Sequence, residues 1–245
     1  MQTHRAICAC IFVCCSASLF LATPASGFCF QPHPSVACNF LNSDAVFTGR
    51  VISVRPTEKD GSIDGYYYRL SVLQLFRGPH EKIIEVYTGN DSGGYYLDSG
   101  KEYLIFASTS KGELQIGNCD DSAPLSEASQ TIRELKRLRI PKDAEIEGRI
   151  SFEAEGGIDF SRSPYAGTHV NRMHVVIRGT AKTYTVTCNH AGWFRLHVPP
   201  GNYSADIQPV AHWSIHPFDL SIDDPDHFVA STGHCSGLQF IASPK

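Results

Sequence analysis

Basic charge is scarce in this chain. In 245 residues, 21 Lys and Arg stand against 25 Asp and Glu, a formal net charge of −4. With no polybasic stretch, nucleic acid and anionic membrane surfaces are poor partners. Charged residues of all kinds make up only 19%, while 14 Phe and 10 Tyr supply a large aromatic content, which argues against disorder and for a folded chain. Apolar runs of membrane-spanning length are missing beyond the N-terminus. Internal repeats and low-complexity tracts are missing as well. No His-Glu-x-x-His or Cys-x-x-Cys motif occurs. Acyl transfer, phosphoryl transfer and glycoside hydrolysis each lack a recognisable set of positioned groups, so the reading is of a non-enzymatic protein with no cofactor.

What the N-terminus does contain is an export signature. Arg5 precedes an almost wholly apolar run from Ala6 to Ala22, and Ala25-Ser26-Gly27 places small residues where a signal peptidase needs them. Residues 1–27 are expected to be a signal peptide, with the mature chain starting at Phe28. The alternative of a retained anchor is disfavoured by the short run, its extreme N-terminal position and its Pro-containing end. Lipid attachment at Cys29 is disfavoured by bulky Phe28 before it. Loss of Arg5, the only charged residue of the leader, leaves 20 basic against 25 acidic side chains. The product is expected to be secreted, periplasmic or extracellular, with no membrane span after cleavage, in a compartment where disulfides persist. Of nine cysteines, Cys29, Cys38, Cys119, Cys188 and Cys235 remain in the mature chain, an odd number that allows two internal bridges at most.

Two β-rich blocks follow. Runs rich in β-branched and aromatic residues predict strands at 45–55, 66–77, 82–88, 101–109 and 113–116, with polar loops at 57–65 and 89–100. Five strands with no helix between them suit a small closed barrel. The period then changes: Leu125, Ala128, Ile132, Leu135 and Leu138 recur at helical spacing, with Ser122 as cap and Pro124 near the start. This predicts an amphipathic helix packed on the barrel. Ile140-Pro141-Lys142-Asp143 is the boundary candidate, giving domains 28–140 and 141–245. Strands are predicted in the second block at 145–152, 170–178, 183–188, 193–198, 203–208 and 236–242, with a tight turn at Pro199-Pro200-Gly201-Asn202, the pattern of a β-sandwich.

The run from Cys29 through Cys38, Asp44 and Gly49 to Val51 resembles the start of netrin-like domains, the barrel family of the tissue inhibitors of metalloproteinases. Phe76-Arg77-Gly78, the strand from Gly100 to Ala107, and Cys119 followed by Pro124-Leu125 fall in that family's order. The resemblance implies an OB-like five-stranded barrel with a C-terminal helix. Ile146-Glu147-Gly148-Arg149-Ile150, the stretch Thr187 to Phe194, Pro199 to Tyr203 and Gly233-His234-Cys235 resemble carboxypeptidase regulatory-like domains, sandwiches related in shape to transthyretin and to some starch-binding modules. That implies a transthyretin-like β-sandwich and a ligand-binding role more than a catalytic one.

Metalloproteinase inhibition by the family's mechanism needs a Cys-x-Cys whose first Cys is residue one, its amine and carbonyl chelating the protease zinc. Here that position falls on Gly27, and the family's partner cysteine is absent near Ser92 to Gly94. Phe28 and Cys29 are the protease-contact candidates that remain, without the bridge that pre-orders them. The resemblance pairs Cys29 with Cys119, closing a loop of roughly 90 residues that the chain-entropy model values at about 4–5 kcal/mol. Cys38 is then the odd thiol, although it competes with Cys29 for Cys119. Cys188 and Cys235 are left to pair within the sandwich.

Four further signals stand beside these. Asp91-Ser92-Gly93-Gly94 matches the nucleophile setting of trypsin-like proteases, but His33 and His80 are the only upstream mature histidines, neither in that family's setting, and the bland reading is a Gly-rich hairpin loop. Eight of eleven histidines, His169, His174, His190, His197, His212, His216, His227 and His234, crowd the second block. His212 and His216 share a strand face and are the weak metal candidates, set against the commoner case of scattered solvent-facing histidines and a weaker pH-sensing role. Trp193, Phe194, Tyr203, Trp213 and Phe218 form a candidate sugar-stacking platform, although Trp193 and Phe194 alternate faces, so only one points outward. Asn90 and Asn202 head glycosylation sequons. The expected partner is an extracellular protein, a protease included, or a polysaccharide.

Overall fold

The structure is a computed structural model, and it describes residues 33–154, 157–158, 173–211, 213–219, 221 and 223–245. It is mainly β. A short helix α1 (Val36–Asn42) opens the described chain. Strands β1 (Ala45–Lys59), β2 (Ser62–Arg77), β3 (Ile83–Gly89), β4 (Glu102–Ser110), β5 (Glu113–Gln115) and β6 (Ala123–Pro124) follow, then helix α2 (Ser129–Leu135). Beyond the linker run β7 (Ala144–Ala154), β8 (Gly157–Ile158), β9 (His174–Gly179), β10 (Thr183–Thr187), β11 (Trp193–Val198), β12 (Gly201–Ile207), β13 (Trp213–Pro217), β14 (Phe228–Ala230) and β15 (Cys235–Pro244).

In the first block the hydrogen-bonded neighbours run β1, β2, β3, β5, β4, and β4 returns to β1, so the pairing makes a closed circuit of five strands. All contacts in it are antiparallel except the parallel β3–β5 step. Alternation sets the interior: Ala45, Phe47 and Val51 of β1, Tyr68 and Leu70 of β2, Ile84 and Val86 of β3, and Tyr103, Ile105 and Ala107 of β4 form one core. The other face is covered as well at the start of β1 and in the middle of β4. Val46, Leu104 and Phe106 pack there with Phe40 and Leu41 of α1, Leu135 of α2, and both Cys38 and Cys235.

The stretch 57–65, expected as a polar loop, is instead the end of a long hairpin. Asp60 and Gly61 both take positive φ (51° and 78°), the conformation a two-residue type I′ turn requires, and this lets β1 and β2 pair to Lys59↔Ser62. Helix α2 is shorter than its periodic pattern implied. Ser122 does not cap it, because its hydroxyl accepts the Phe106 N–H at 2.9 Å, and the cap position falls on Ala128 without a side-chain bond. Helix α1 was not anticipated: at seven residues it is too short to show a period, and Ser35 starts it by accepting the Cys38 N–H at 3.2 Å.

The second block stacks two sheets. One runs β10-β9-β12-β14 and the other β11-β7-β15-β13, with β8 on the end of β7 and β15 parallel to β7. Between them lie Ile146, Ile150 and Phe152 of β7, Val175 and Ile177 of β9, Phe194 and Val198 of β11, Tyr203, Ala205 and Ile207 of β12, and Leu238 and Phe240 of β15. A class of packed sheets is therefore present. Strand β14 escaped the sequence reading and β13 entered it only through the shared face of His212 and His216, and the turn at Pro199-Pro200 joins β11 to β12 across the two sheets rather than within a hairpin. Gly148 is a required glycine: a Cβ there would meet the Phe194 ring and lie 2.6 Å from the Leu238 carbonyl oxygen.

The cysteines pair otherwise than expected. Cys38 is not the odd thiol but forms a disulfide with Cys235, 197 residues away. Cys188 is a buried free thiol rather than the partner of Cys235. The reason is direction: Cys188 follows β10 with its side chain in the core between the sheets, whereas Cys235 opens β15 with its side chain on the opposite face of its sheet, in the cluster shared with α1. Cys119 is disulfide-bonded, and Cys29, its expected partner, lies outside the described residues.

Candidate functional site

Strands β11, β7 and β15 present one face to the sandwich core and the other to the segment 33–42. Register fixes which residues share that second face. Trp193 pairs with Arg149, Arg195 with Glu147 and His197 with Glu145, while β15 sets Cys235, Gly237 and Gln239 beside the same three β7 residues. A sheet face of Glu145, Glu147, Arg149 and Ser151 has the composition of a solvated surface, yet all four are buried. What covers it in part is the segment before and within α1.

That cover is tied down at several points. The Ser35 N–H donates to Glu147 Oε1 at 2.7 Å. Arg195 donates from Nε and Nη2 to Glu147 Oε2 at 3.1 and 2.6 Å, and from Nη2 to the Ser35 hydroxyl. The same Nε lies 3.0 Å from Glu145 Oε1, a charge contact off the N–H direction that leaves this oxygen without an aligned hydrogen bond. Asn42 reads the backbone of Cys235 from both sides: Nδ2 donates to its carbonyl at 2.8 Å and Oδ1 accepts its N–H at 2.9 Å. The disulfide closes the set. Upstream, His33 Nε2 donates to the Asp120 carbonyl at 2.9 Å, and Asn39 Nδ2 donates to Asp121 at 2.7 Å. Burial pushes the carboxyls of Asp120 and Asp121 above the ordinary value, with hydrogen bonds from Ser122 and from Asn39 pulling the other way.

Beside the cover lies a cavity of about 660 Å³, lined by His33 and Ser35 on one side and by Glu147, Val186, Thr187, Cys188, Asn189, Trp193, Phe194 and Arg195 on the other. This volume falls in the range of small-ligand sites. Trp193 supplies a half-buried indole, with the Arg149 guanidinium 5.5 Å from its ring centre. Asn189 Oδ1 is taken by the N–H groups of Ala191 and Trp193. Burial pushes the Cys188 thiol up to about 12, so it is an inert part of the wall. Smaller cavities on either side of Arg195 and Glu147 run under Pro34 and Cys38 and under Phe40 and Leu41.

Of the candidate aromatic platform, Trp193 alone takes the expected place at an open wall. Phe194 and Tyr203 are core residues, and Trp213 packs edge-on against Phe152 at 4.8 Å; Phe218 is half-buried. His216 is exposed on β13, and His212 and His169 lie outside the described residues, as do Phe28 and Cys29. Among the described residues no group of three or more His, Cys, Asp or Glu is placed to hold a metal ion, and no helix is long and apolar enough to cross a membrane. The loop at Asp91-Ser92-Gly93-Gly94 is a turn capped by itself, Asp91 Oδ1 accepting the Gly93 N–H at 2.8 Å. Sequence reasoning missed Ser35, Asn42, Glu147 and Arg195. The alternation of charged and apolar residues along β7 was the available signal, but it reads as an ordinary solvated face.

No family model matches the chain, and no curated protein matches it. Among solved structures, it is similar to the TIE protein of Bacillus anthracis, at 10% identity over 83% of this chain and 35% of that one, with a TM-score of 0.30. It is also similar to the major pilin protein T-13 of Streptococcus pyogenes, at 7% identity over 84% of this chain and 91% of that one, with a TM-score of 0.15. The chain thus spans about a third of the length of the TIE protein structure. At these scores neither likeness carries an argument about fold or function.

Proposed function

We propose that this is a secreted, non-enzymatic binding protein whose ligand site is the cavity between segment 33–42 and the second block, and whose ligand is a saccharide. The observation that carries the reading is Trp193, an indole kept out of the core by strand alternation and set in the wall of a cavity of about 660 Å³ beside Asn189, Glu147 and Arg195. A flat apolar ring with amide and guanidinium groups around it suits a sugar's C–H face and its hydroxyls. The charges on the face balance, Arg149 and Arg195 against Glu145 and Glu147, which favours a neutral ligand. Glu147 has both carboxylate oxygens engaged by Ser35 and Arg195, which leaves it poorly suited to act as a general base.

The five-strand circuit with its parallel β3–β5 step supports an OB-like barrel for the first block, and the two stacked sheets support a transthyretin-like sandwich for the second. The internal disulfide suits an oxidising compartment outside the cytoplasm. The test is a fluorescence titration of a Trp213→Phe protein, in which Trp193 alone among tryptophans emits, with soluble neutral polysaccharides and their oligosaccharides. A saturable change abolished by Trp193→Ala is expected. Flat titrations at millimolar sugar overturn the saccharide reading.

A further inference from the structure

We infer that the segment 33–42 is a disulfide-locked wall of the ligand cavity, so that breaking Cys38–Cys235 opens the site; the inference deepens the junction-cavity reading and rests on it. Neither part closes the cavity alone, since His33 and Ser35 come from the segment and Trp193 and Arg195 from β11. Phe40 and Leu41 bury α1 against the first block, but the face of β7 beneath the segment is charged, and apolar atoms seated on charges gain little from hydrophobic burial. The hold of the segment on the second block therefore depends on discrete ties: Ser35 to Glu147 and Arg195, Asn42 to the backbone of Cys235, and the covalent bond. The polar ties are exchangeable for water; the disulfide is not.

The bond is also protected by what it holds. Cys38 is 3% exposed and Cys235 is 0% exposed, so a thiolate reaches neither sulfur while the segment is seated. Opening by a dithiol reductant runs in two exchanges: one thiolate attacks a sulfur of the bridge to give a mixed disulfide, and the second thiol of the reductant then displaces the remaining cysteine. Cys38 and Cys235 take up two electrons and two protons as thiols, and the reductant leaves as a cyclic disulfide. Because the segment and β15 must part before the first exchange, a ligand that bridges both walls makes the bridge harder to reduce at equilibrium, and reduction weakens the ligand by the same factor.

Acrylamide quenching of Trp193 in the full-length Trp213→Phe chain tests this, before and after dithiothreitol and in a Cys38→Ser/Cys235→Ser version that keeps the Cys119 bridge. A several-fold rise in the quenching constant is expected in both arms, with the far-UV spectrum unchanged. An unchanged constant in both arms overturns the lock, as does a rise in the dithiothreitol arm alone, which assigns the effect to the other bridge. Should the double variant lose its far-UV signal, reductant titrated into the Trp213→Phe chain decides: quenching that rises before the far-UV loss supports the lock, and quenching that rises only with it makes the bond a fold staple and overturns the inference. Raised quenching with flat saccharide titrations leaves the lock standing and removes the saccharide reading; saccharide binding with unchanged quenching does the reverse.

Discussion

Strands β4 and β7 are both buried on two faces, one in each block, and they solve that problem in opposite ways. Over Tyr103 to Ala107 both faces of β4 are apolar: Tyr103, Ile105 and Ala107 fill the inside of the circuit, and Leu104 and Phe106 meet the helices outside. In β7, Ile146, Ile150 and Phe152 fill the sandwich, but Glu145, Glu147, Arg149 and Ser151 occupy the second face, equally buried. Hydrocarbon on both sides gives stability with little demand on geometry. Buried charge returns its desolvation cost only when partners are placed within hydrogen-bond reach, so it specifies one arrangement of the segment above it and leaves polar, shaped space beside it. Of the two places, only β7 borders the large cavity.

The largest effect separating them is expected from Phe106→Ala, which leaves a hole among α1, α2 and β4 and costs about 3–5 kcal/mol in chemical denaturation, with no direct effect on ligand titrations. Arg195→Met removes the guanidinium that contacts both Glu145 and Glu147. It is expected to cost about 2–4 kcal/mol, at the lower side for a broken buried pair because the Arg195 side chain is itself 43% exposed. Adding Glu145→Gln and Glu147→Gln to Arg195→Met recovers most of that loss if charge is the cause; a triple variant no more stable than the single one breaks the contrast drawn between β4 and β7. Gly148→Ala pushes a methyl toward Phe194 and the Leu238 carbonyl and costs about 1–3 kcal/mol, read as a shift in denaturation midpoint with an unchanged slope.

The smallest effect is a pH dependence, and it sharpens the comparison between the first block and the junction. Asp44 accepts the Thr109 N–H at 2.6 Å, and that bond holds its carboxyl below the ordinary value. Its stabilisation is present above the ordinary value and lost as pH falls through the lowered one. Asp120, raised by burial near the segment 33–42, has the opposite sign: its contribution is present below the ordinary value and lost as pH rises through the raised one. Carbon-13 titrations should place the two carboxyls on either side of 3.8, and Asp44→Asn should lower stability at neutral pH more than in strong acid.

Much of the strand pattern was legible. Alternation located the strands of the first block and the main ones of the second, and the neighbouring Trp193 and Phe194 were correctly expected to face opposite ways. Short elements were not legible: α1 spans less than two full turns of period and β14 only three residues, too few to show a repeat against background. The boundaries of hairpin and loop at 57–65 failed because Asp60-Gly61 was read as loop composition rather than as a two-residue turn between paired strands.

Local physics along the chain decided the parts that depend on a few neighbouring residues: which stretches extend, which face of each strand is apolar, and where the chain turns. Position in space decided the rest. Cys38 met Cys235 rather than Cys119 because folding carried residue 235 to the opening of β15 beneath α1, a coincidence across 197 residues that no spacing encodes. For the same reason the charged face of β7, written in the sequence as a surface, became the floor of an interior: burial belongs to whatever packs above a residue, and that partner lies far away along the chain.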